Sequence, residues 1–144
     1  MTQFVIREIN GDLFSADTDY SMCHCVAADL RMGKGIAVKF RNEFGQLETL
    51  QKQNVQPGGV ALLEFDGRFI YYLITKQSSS SKPTYQYLAS SLSAMREHML
   101  QNKVQKLALP RIGCGIDALD WNRVKEMLCD IFKADAVELA VYSY

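Results

Sequence analysis

Pro110-Arg111-Ile112-Gly113-Cys114-Gly115-Ile116-Asp117 joins a short apolar run, Lys106 to Leu109, to Asp120-Trp121, where an amphipathic stretch begins. The run has the length of a buried strand, and the stretch after it has the spacing of a helix. A strand that passes through glycines into a helix is a common anion site in α/β proteins. Glycine admits positive φ and lets the backbone approach a ligand. The N–H groups of the turn and of the helix start then face negative charge. In an open α/β sheet, ligands sit beyond the carboxyl ends of the strands. Asp117 is the one acid inside the turn, so it faces whatever the turn holds. A plain corner whose glycines only turn the chain fits the same residues, because an isolated Gly-x-Gly is a weak signal.

A second stretch of the same kind lies upstream. Tyr20 to Val26 is apolar and rich in strand formers, and Ala27 to Ala37 follows with Gly33 and Gly35. Ile36, Ala37, Phe40 and Phe44 then recur at helical spacing. Arg31, Lys34, Lys39 and Arg41 cluster around that helix start. Cations there oppose the helix dipole, which is easier to explain if an anion is present. A solvated face is the other reading of these charges.

The remaining elements follow in order. Phe4 to Ile9 reads as a strand, and Asn10-Gly11-Asp12 as a turn that returns Leu13 and Phe14 to the core. Asp12 is either a turn former or a holder of a ligand amine. Leu47 to Gln53 reads as a short amphipathic turn of helix. Asp66-Gly67 separates Val60–Phe65 from Phe69–Thr75, the signature of a two-residue hairpin. The second hairpin strand is almost wholly apolar, so a central place is expected. It ends at Lys76, which either snorkels to water or acts in a site. A serine-rich loop, Gln77 to Ser81, follows. Pro83 opens a long helix to about Gln101, with Tyr85, Leu88, Leu92, Met95 and Met99 as its buried stripe. Asp120 is the expected N-cap of the last helix, whose stripe is Trp121, Val124, Leu128 and Ile131. Val137 to Tyr144 is the last strand. Alternating βα units with one hairpin predict an α/β fold, a mixed sheet with helices on both faces, in one domain over residues 1–144.

Sixteen basic and sixteen acidic residues cancel. No sequence-wide field therefore draws the chain to nucleic acid or to an anionic membrane. No targeting or lipidation signal and no run of about 18 apolar residues is read. With four cysteines, this suggests free thiols in a reducing compartment, nucleus or cytoplasm. Cys23-His24-Cys25 invites a metal reading, but zinc needs four convergent ligands. Thiols packed in a central strand are expected instead, with no metal and no cofactor. His98 is expected to be structural or at the surface.

Four stretches, taken together and in order, resemble the macrodomain family. They are Asn10–Phe14, Arg31–Ala37, Tyr72–Lys76 and Pro110–Asp117. Within the family they are most similar to the terminal ADP-ribose protein glycohydrolases, also O-acyl-ADP-ribose deacylases. The resemblance implies a three-layer α/β/α fold that binds ADP-ribose at the strand ends. It implies that Asp12 accepts from the adenine amine, with Leu13 as the adjacent backbone contact. Gly33, Gly35, Ile36 and Ala37 match the first phosphate loop. Gly113, Cys114, Gly115 and Ile116 match the second, which wraps the diphosphate and the distal ribose, with Arg111 and Ile112 beside it as ligand-binding residues. Lys76 matches the catalytic lysine and Asp117 the catalytic aspartate. Ala27 is implied to line the cleft and Tyr144 to stand near the adenosine. Many relatives carry Asn-Ala-Ala-Asn after the second strand, whereas this chain reads His24-Cys25-Val26-Ala27-Ala28-Asp29. That departure favours the lysine/aspartate branch over the water-activating one. Expected substrates are mono-ADP-ribosylated proteins, with the modification on glutamate or aspartate, and O-acyl-ADP-ribose. A monomer is expected. A reader module that binds ADP-ribose without cleaving it is the alternative.

Overall fold

The computed structural model describes residues 3–115 and 117–144. Six strands run β1 (Val5–Asn10), β2 (Ser21–Ala27), β3 (Val60–Phe65), β4 (Arg68–Lys76), β5 (Lys106–Pro110) and β6 (Glu138–Ser143). Four helices run α1 (Ile36–Phe44), α2 (Leu47–Lys52), α3 (Tyr85–Gln101) and α4 (Trp121–Phe132). A single 3₁₀ turn, Leu13–Ser15, was not anticipated; the Asp12 side chain caps it by accepting from the Phe14 N–H. The strands form one sheet in the order β1-β6-β5-β2-β4-β3. Only β3 is antiparallel to its neighbour, so the sheet is mixed, as expected.

The hairpin turn accounts for that antiparallel edge. Asp66 and Gly67 have φ of 51° and 82°, the positive values of a turn whose twist matches the strands it joins. β3 is the exposed edge. Gln53 covers its middle, accepting from the Leu62 N–H at 3.0 Å and donating to the Leu62 carbonyl at 2.8 Å. The helix α3 starts two residues later than Pro83. Thr84 is in extended conformation and its hydroxyl accepts from the Tyr87 N–H at 3.0 Å, so the cap sets the start.

β4 separates two cores. Ile70, Tyr72 and Ile74 face α1 and α2, and meet Phe40, Phe44 and Leu50. Tyr71 and Leu73 face α3 and α4, and meet Leu88, Leu92, Met95, Val124 and Leu128. Both faces of this strand are therefore dry, which explains its nearly unbroken apolar run. Truncating a fully buried leucine such as Leu92 to alanine costs about 2–5 kcal/mol.

β2 alternates in the same way. Cys23 and Cys25 pack toward α3 and α4, while His24 stacks on Phe40 in α1 at 3.7 Å between ring centroids. The three side chains thus point to opposite faces and do not converge on one ion. Neither ring nitrogen of His24 has a hydrogen-bond partner among the described residues. Burial pushes its pKa down to about 3, so the folded state holds it neutral.

His24 therefore makes the fold acid-sensitive. Between about 6.5, the unfolded value, and the folded value of about 3, the unfolded chain binds a proton that the folded chain does not. Stability should fall as pH drops through this window, by about 1.4 kcal/mol per unit from this group. His24→Phe should show a shallower decline between roughly pH 6.5 and 5, read from urea midpoints. Any residual slope includes His98, which burial also lowers.

Candidate active site

β2 and β5 lie side by side and parallel, but their chains leave toward opposite faces. β2 leads into α1, which packs on one core, and β5 leads into α4, which packs on the other. This divergence opens a crevice beyond their carboxyl ends. A cleft of about 1160 Å³ occupies it, lined by the β2–α1 loop, the β4 end, the serine loop and the β5–α4 loop. Small-molecule sites usually measure about 300–1,000 Å³, so an elongated ligand fits.

The two glycine loops flank this cleft. Gly33, Gly35, Ile36 and Ala37 line one side. Gly35 is the N-cap of α1, with φ 62° and ψ −150° and no side-chain cap. The first-turn N–H groups of α1 thus have no side-chain acceptor; Val38 donates to the Gly35 carbonyl at 3.2 Å, and those of Ile36 and Ala37 are available to an anion. α4 differs, because Asp120 caps it by accepting from the Asn122 N–H at 3.0 Å. Arg111, Ile112, Gly113, Cys114 and Gly115 line the other side. Gly113 has φ 73°, and a Cβ there would meet Leu119 at 2.7 Å. Gly115 is free of such contact, and a Cβ there would meet nothing within 4 Å.

A bulge sets Lys76 at the head of the cleft. Val26 pairs with Ile74 and Ala27 with Lys76, so the register slips by one residue at Thr75. Bulges of this kind re-aim the side chains beside them. The Lys76 carbonyl accepts from the Ala28 N–H at 2.9 Å, which holds the strand end. Its ammonium donates to Asp117 Oδ1 at 2.7 Å. The two side chains retain 11% and 17% exposure, enough to be reached from the cleft.

Cys25 and Cys114 also line the cleft. Burial, reinforced by the nearby Asp117 and Cys114, pushes the Cys25 thiol far up. Burial pushes Cys114 up to about 11. Both are therefore neutral thiols and weak nucleophiles at pH 7.

Most residues predicted from the sequence meet here. Ala27, Gly33, Gly35, Ile36, Ala37, Lys76, Arg111 to Gly115 and Asp117 all line the cleft. Ile116 lies outside the described residues. Asp12, Leu13 and Tyr144 do not line it. One Asp12 oxygen takes the Phe14 N–H at 3.0 Å, Leu13 is buried in the core, and Tyr144 is 90% exposed. Tyr142 and Ser143 line the cleft at the β6 end instead, and the Gly11 N–H ties that end to β1 by donating to the Ser143 carbonyl at 2.8 Å.

Two residues of the site, Asp29 and Trp121, escaped the sequence reading. Asp29 accepts from the backbone N–H of Ser79 at 2.8 Å across the cleft mouth. Burial pushes its carboxyl up, but hydrogen bonds from Ser79 and Arg31 outweigh this and hold it below its ordinary value. Trp121, assigned to the buried stripe of α4, lines the cleft and donates from Nε1 to Glu8 at 3.0 Å. Arg111 lies over its ring. Only Asp29 left a signal, an acid three residues past the end of a buried strand.

A Macro domain family model matches residues 23–128. This chain belongs to the macrodomain family. The macrodomain is 47% identical over 138 residues to the ADP-ribose glycohydrolase OARD1 of Homo sapiens, covering 96% of this chain and 91% of that protein. The macrodomain of Thermus aquaticus DarG superposes with a TM-score of 0.87 at 24% identity, over 98% of this chain and 99% of that one. Thermosipho africanus DarTG, solved in complex with ADP-ribose, superposes with a TM-score of 0.81 at 18% identity, over 96% of this chain and 41% of that one. The expected macrodomain α/β fold is thus present. Among the described residues no helix is long and apolar enough to cross a membrane.

The two glycines of the second loop of this macrodomain should respond differently to alanine. Gly113→Ala places a side chain at φ 73° and should cost about 1–3 kcal/mol. Gly115→Ala should leave stability nearly unchanged. Thermal unfolding of the two variants tests the contrast.

Proposed function

We propose that this macrodomain is an ADP-ribose hydrolase. It removes mono-ADP-ribose from glutamate and aspartate side chains of proteins and deacylates O-acyl-ADP-ribose. The observation that carries the reading is the Lys76–Asp117 pair, 2.7 Å apart and mostly buried, at the end of a cleft flanked by two glycine loops. Similarity to the ADP-ribose glycohydrolase OARD1 supports the substrate class. In this reading the diphosphate lies between the Gly33–Ala37 and Arg111–Ile116 loops, and Ala27 underlies the distal ribose. The adenosine extends toward the β6 end, with Asp12, Leu13 and Tyr144 as its neighbours.

The chemistry follows from the pair. An ammonium is not a nucleophile, so a proton must leave Lys76 before it attacks. Asp117 is the acceptor within reach. The Lys76 amine then attacks C1″ of the distal ribose, the C1″–O bond of the ester breaks, and the carboxylate leaves with the electron pair. Positive charge develops on the ribose, as in other glycosyl transfers. Water next attacks C1″, the C1″–N bond breaks with its electron pair on the lysine nitrogen, the proton held by Asp117 returns to the lysine, and the proton of the water passes to solvent. ADP-ribose is released. The deacylation shares the same cleft and differs in the group attached to the ribose.

Three variants test the reading on a glutamate-linked mono-ADP-ribose substrate. Lys76→Ala should keep ADP-ribose affinity and lose about 10⁴-fold or more in kcat. Asp117→Ala should lose about 10²–10⁴-fold. A Lys76 adduct seen by intact mass spectrometry of Asp117→Ala, and absent in the double variant, would place the covalent step. Gly115→Phe should lose ADP-ribose binding with the fold intact, since Gly115 lines the cleft and a Cβ there meets nothing within 4 Å. Undiminished turnover in Lys76→Ala would refute the catalytic assignment. A wild-type protein that binds ADP-ribose but releases none from the ester would be a reader module.

A further inference from the structure

We propose that Asp29 is a positioning residue for Lys76. It clasps Ser79, and Ser79 in turn presents its backbone carbonyl to the lysine ammonium. This inference rests on the reading of Lys76 as the nucleophile.

The serine loop that follows β4 has few ties to the rest of the molecule. Its own bonds are internal: Ser81 donates its N–H to the Ser78 carbonyl at 3.0 Å, and the Ser78 and Ser81 hydroxyls pair at 2.9 Å. These shape a turn but do not attach it to anything. Attachment comes from Asp29, 50 residues earlier in the chain. Oδ2 accepts the Ser79 N–H at 2.8 Å, and the Ser79 hydroxyl lies 3.0 Å from Oδ1 and 3.1 Å from Oδ2. The carboxylate is thereby committed to one residue of the loop. A hydrogen bond to an ionised acceptor is stronger than a neutral one.

Asp29 is itself held in place. Its Oδ1 accepts the Arg31 N–H at 3.2 Å. The backbone on either side of Arg31 is left-handed, at Leu30 with φ 54° and Met32 with φ 47°. Such conformations persist for non-glycine residues only where their surroundings hold them. Both side chains are buried in the core below α1. The clasp is therefore built on a fixed corner.

Ser79 is also the residue that touches the lysine. Lys76 Nζ lies 3.5 Å from the Ser79 carbonyl and 2.7 Å from Asp117. Lysine is a point charge on a flexible stem with several rotamers. Two acceptors from different loops, one on each side of the cleft, restrict where the nitrogen stands. A displacement of about 1 Å in a reacting atom can cost 10²-fold in rate. Both carboxylate oxygens of Asp29 accept from Ser79 or Arg31, and the residue acts on Lys76 through Ser79.

The test uses the full chain and the glutamate-linked mono-ADP-ribose substrate. Asp29→Ala should lower kcat by about tenfold or more, with KM, ADP-ribose affinity by calorimetry and unfolding temperature unchanged. Ser79→Ala keeps the N–H bond to Oδ2 and should lose less. Ser79 is exposed, so this variant keeps the fold whatever Asp29→Ala does, and a lowered kcat at unchanged affinity is required of it as well. Wild-type kcat in Asp29→Ala overturns the proposal. So does a fall in kcat that follows lost affinity or a lowered unfolding temperature, which marks a structural role alone. Lys76→Ala is assayed beside them. If it retains turnover, the reading of the site has failed. If it loses turnover while Asp29→Ala does not, only the clasp has failed.

Discussion

β2 and β5 are hydrogen-bonded neighbours whose chains must leave the sheet on opposite faces. Two helical layers have to be supplied from adjacent strands, and no loop can fill the space between the departing chains. The crevice is thus a topological consequence of covering both sides of a parallel sheet. Everything that acts in the cleft is delivered to it by strand ends. β2 carries the first glycine loop and Asp29, β4 carries Lys76, and β5 carries the second glycine loop and Asp117. The slip at Thr75 is a local departure from regular pairing at the point where the lysine emerges. A bulge weakens a ladder, and it is sustained here because β4 is buried on both faces by Tyr71, Tyr72, Leu73 and Ile74.

The charges of the site are distributed so that each anionic group has a donor. Asp117 receives Lys76, Asp29 receives Ser79 and Arg31, and Asp120 receives the start of α4. Glu8 collects Trp121 and Lys125, with Arg111 farther off at 3.4 Å. The start of α1 is the exception in sign, because Gly35 brings no side-chain acceptor and only the Val38 N–H is taken, by the Gly35 carbonyl. An anion in the cleft completes that helix end much as a capping side chain would. The basic residues around it no longer oppose the dipole once that anion is bound.

Much of this was legible one element at a time. The hairpin could be read from Asp66-Gly67 because the required backbone conformations belong to those two residue types. That β4 is covered on both faces could be read from its unbroken apolar run, although it stands next to the edge strand β3 and not at the centre of the sheet. The helix α3 could be read from its stripe, although its start was set by the Thr84 cap and not by Pro83. The glycine loops were visible as strand-to-helix turns, and the resemblance assigned roles to them. The remainder depended on residues distant in sequence. Asp29 is an unremarkable loop acid until Ser79 is brought to it across the cleft mouth. Trp121 has the helical spacing of the stripe and packs partly against the core, yet a helix start at a cleft edge leaves one side of the first turn open.

The sequence by itself determined which segments are strands and helices and which turns could hold an anion. Those properties follow from side-chain periodicity, glycine conformational freedom and local capping, all of which act over a few residues. Tertiary structure decided which turns share a cleft and which side chains meet inside it. Lys76 and Asp117 stand 41 positions apart. They meet because β2 separates their strands in the sheet and the two loops bend over its end. The same assembly left Asp12, Leu13 and Tyr144 outside the cleft lining: Asp12 caps the 3₁₀ turn, Leu13 is buried in the core and Tyr144 is exposed, because what a side chain meets is set by the elements packed around it and not by its own type.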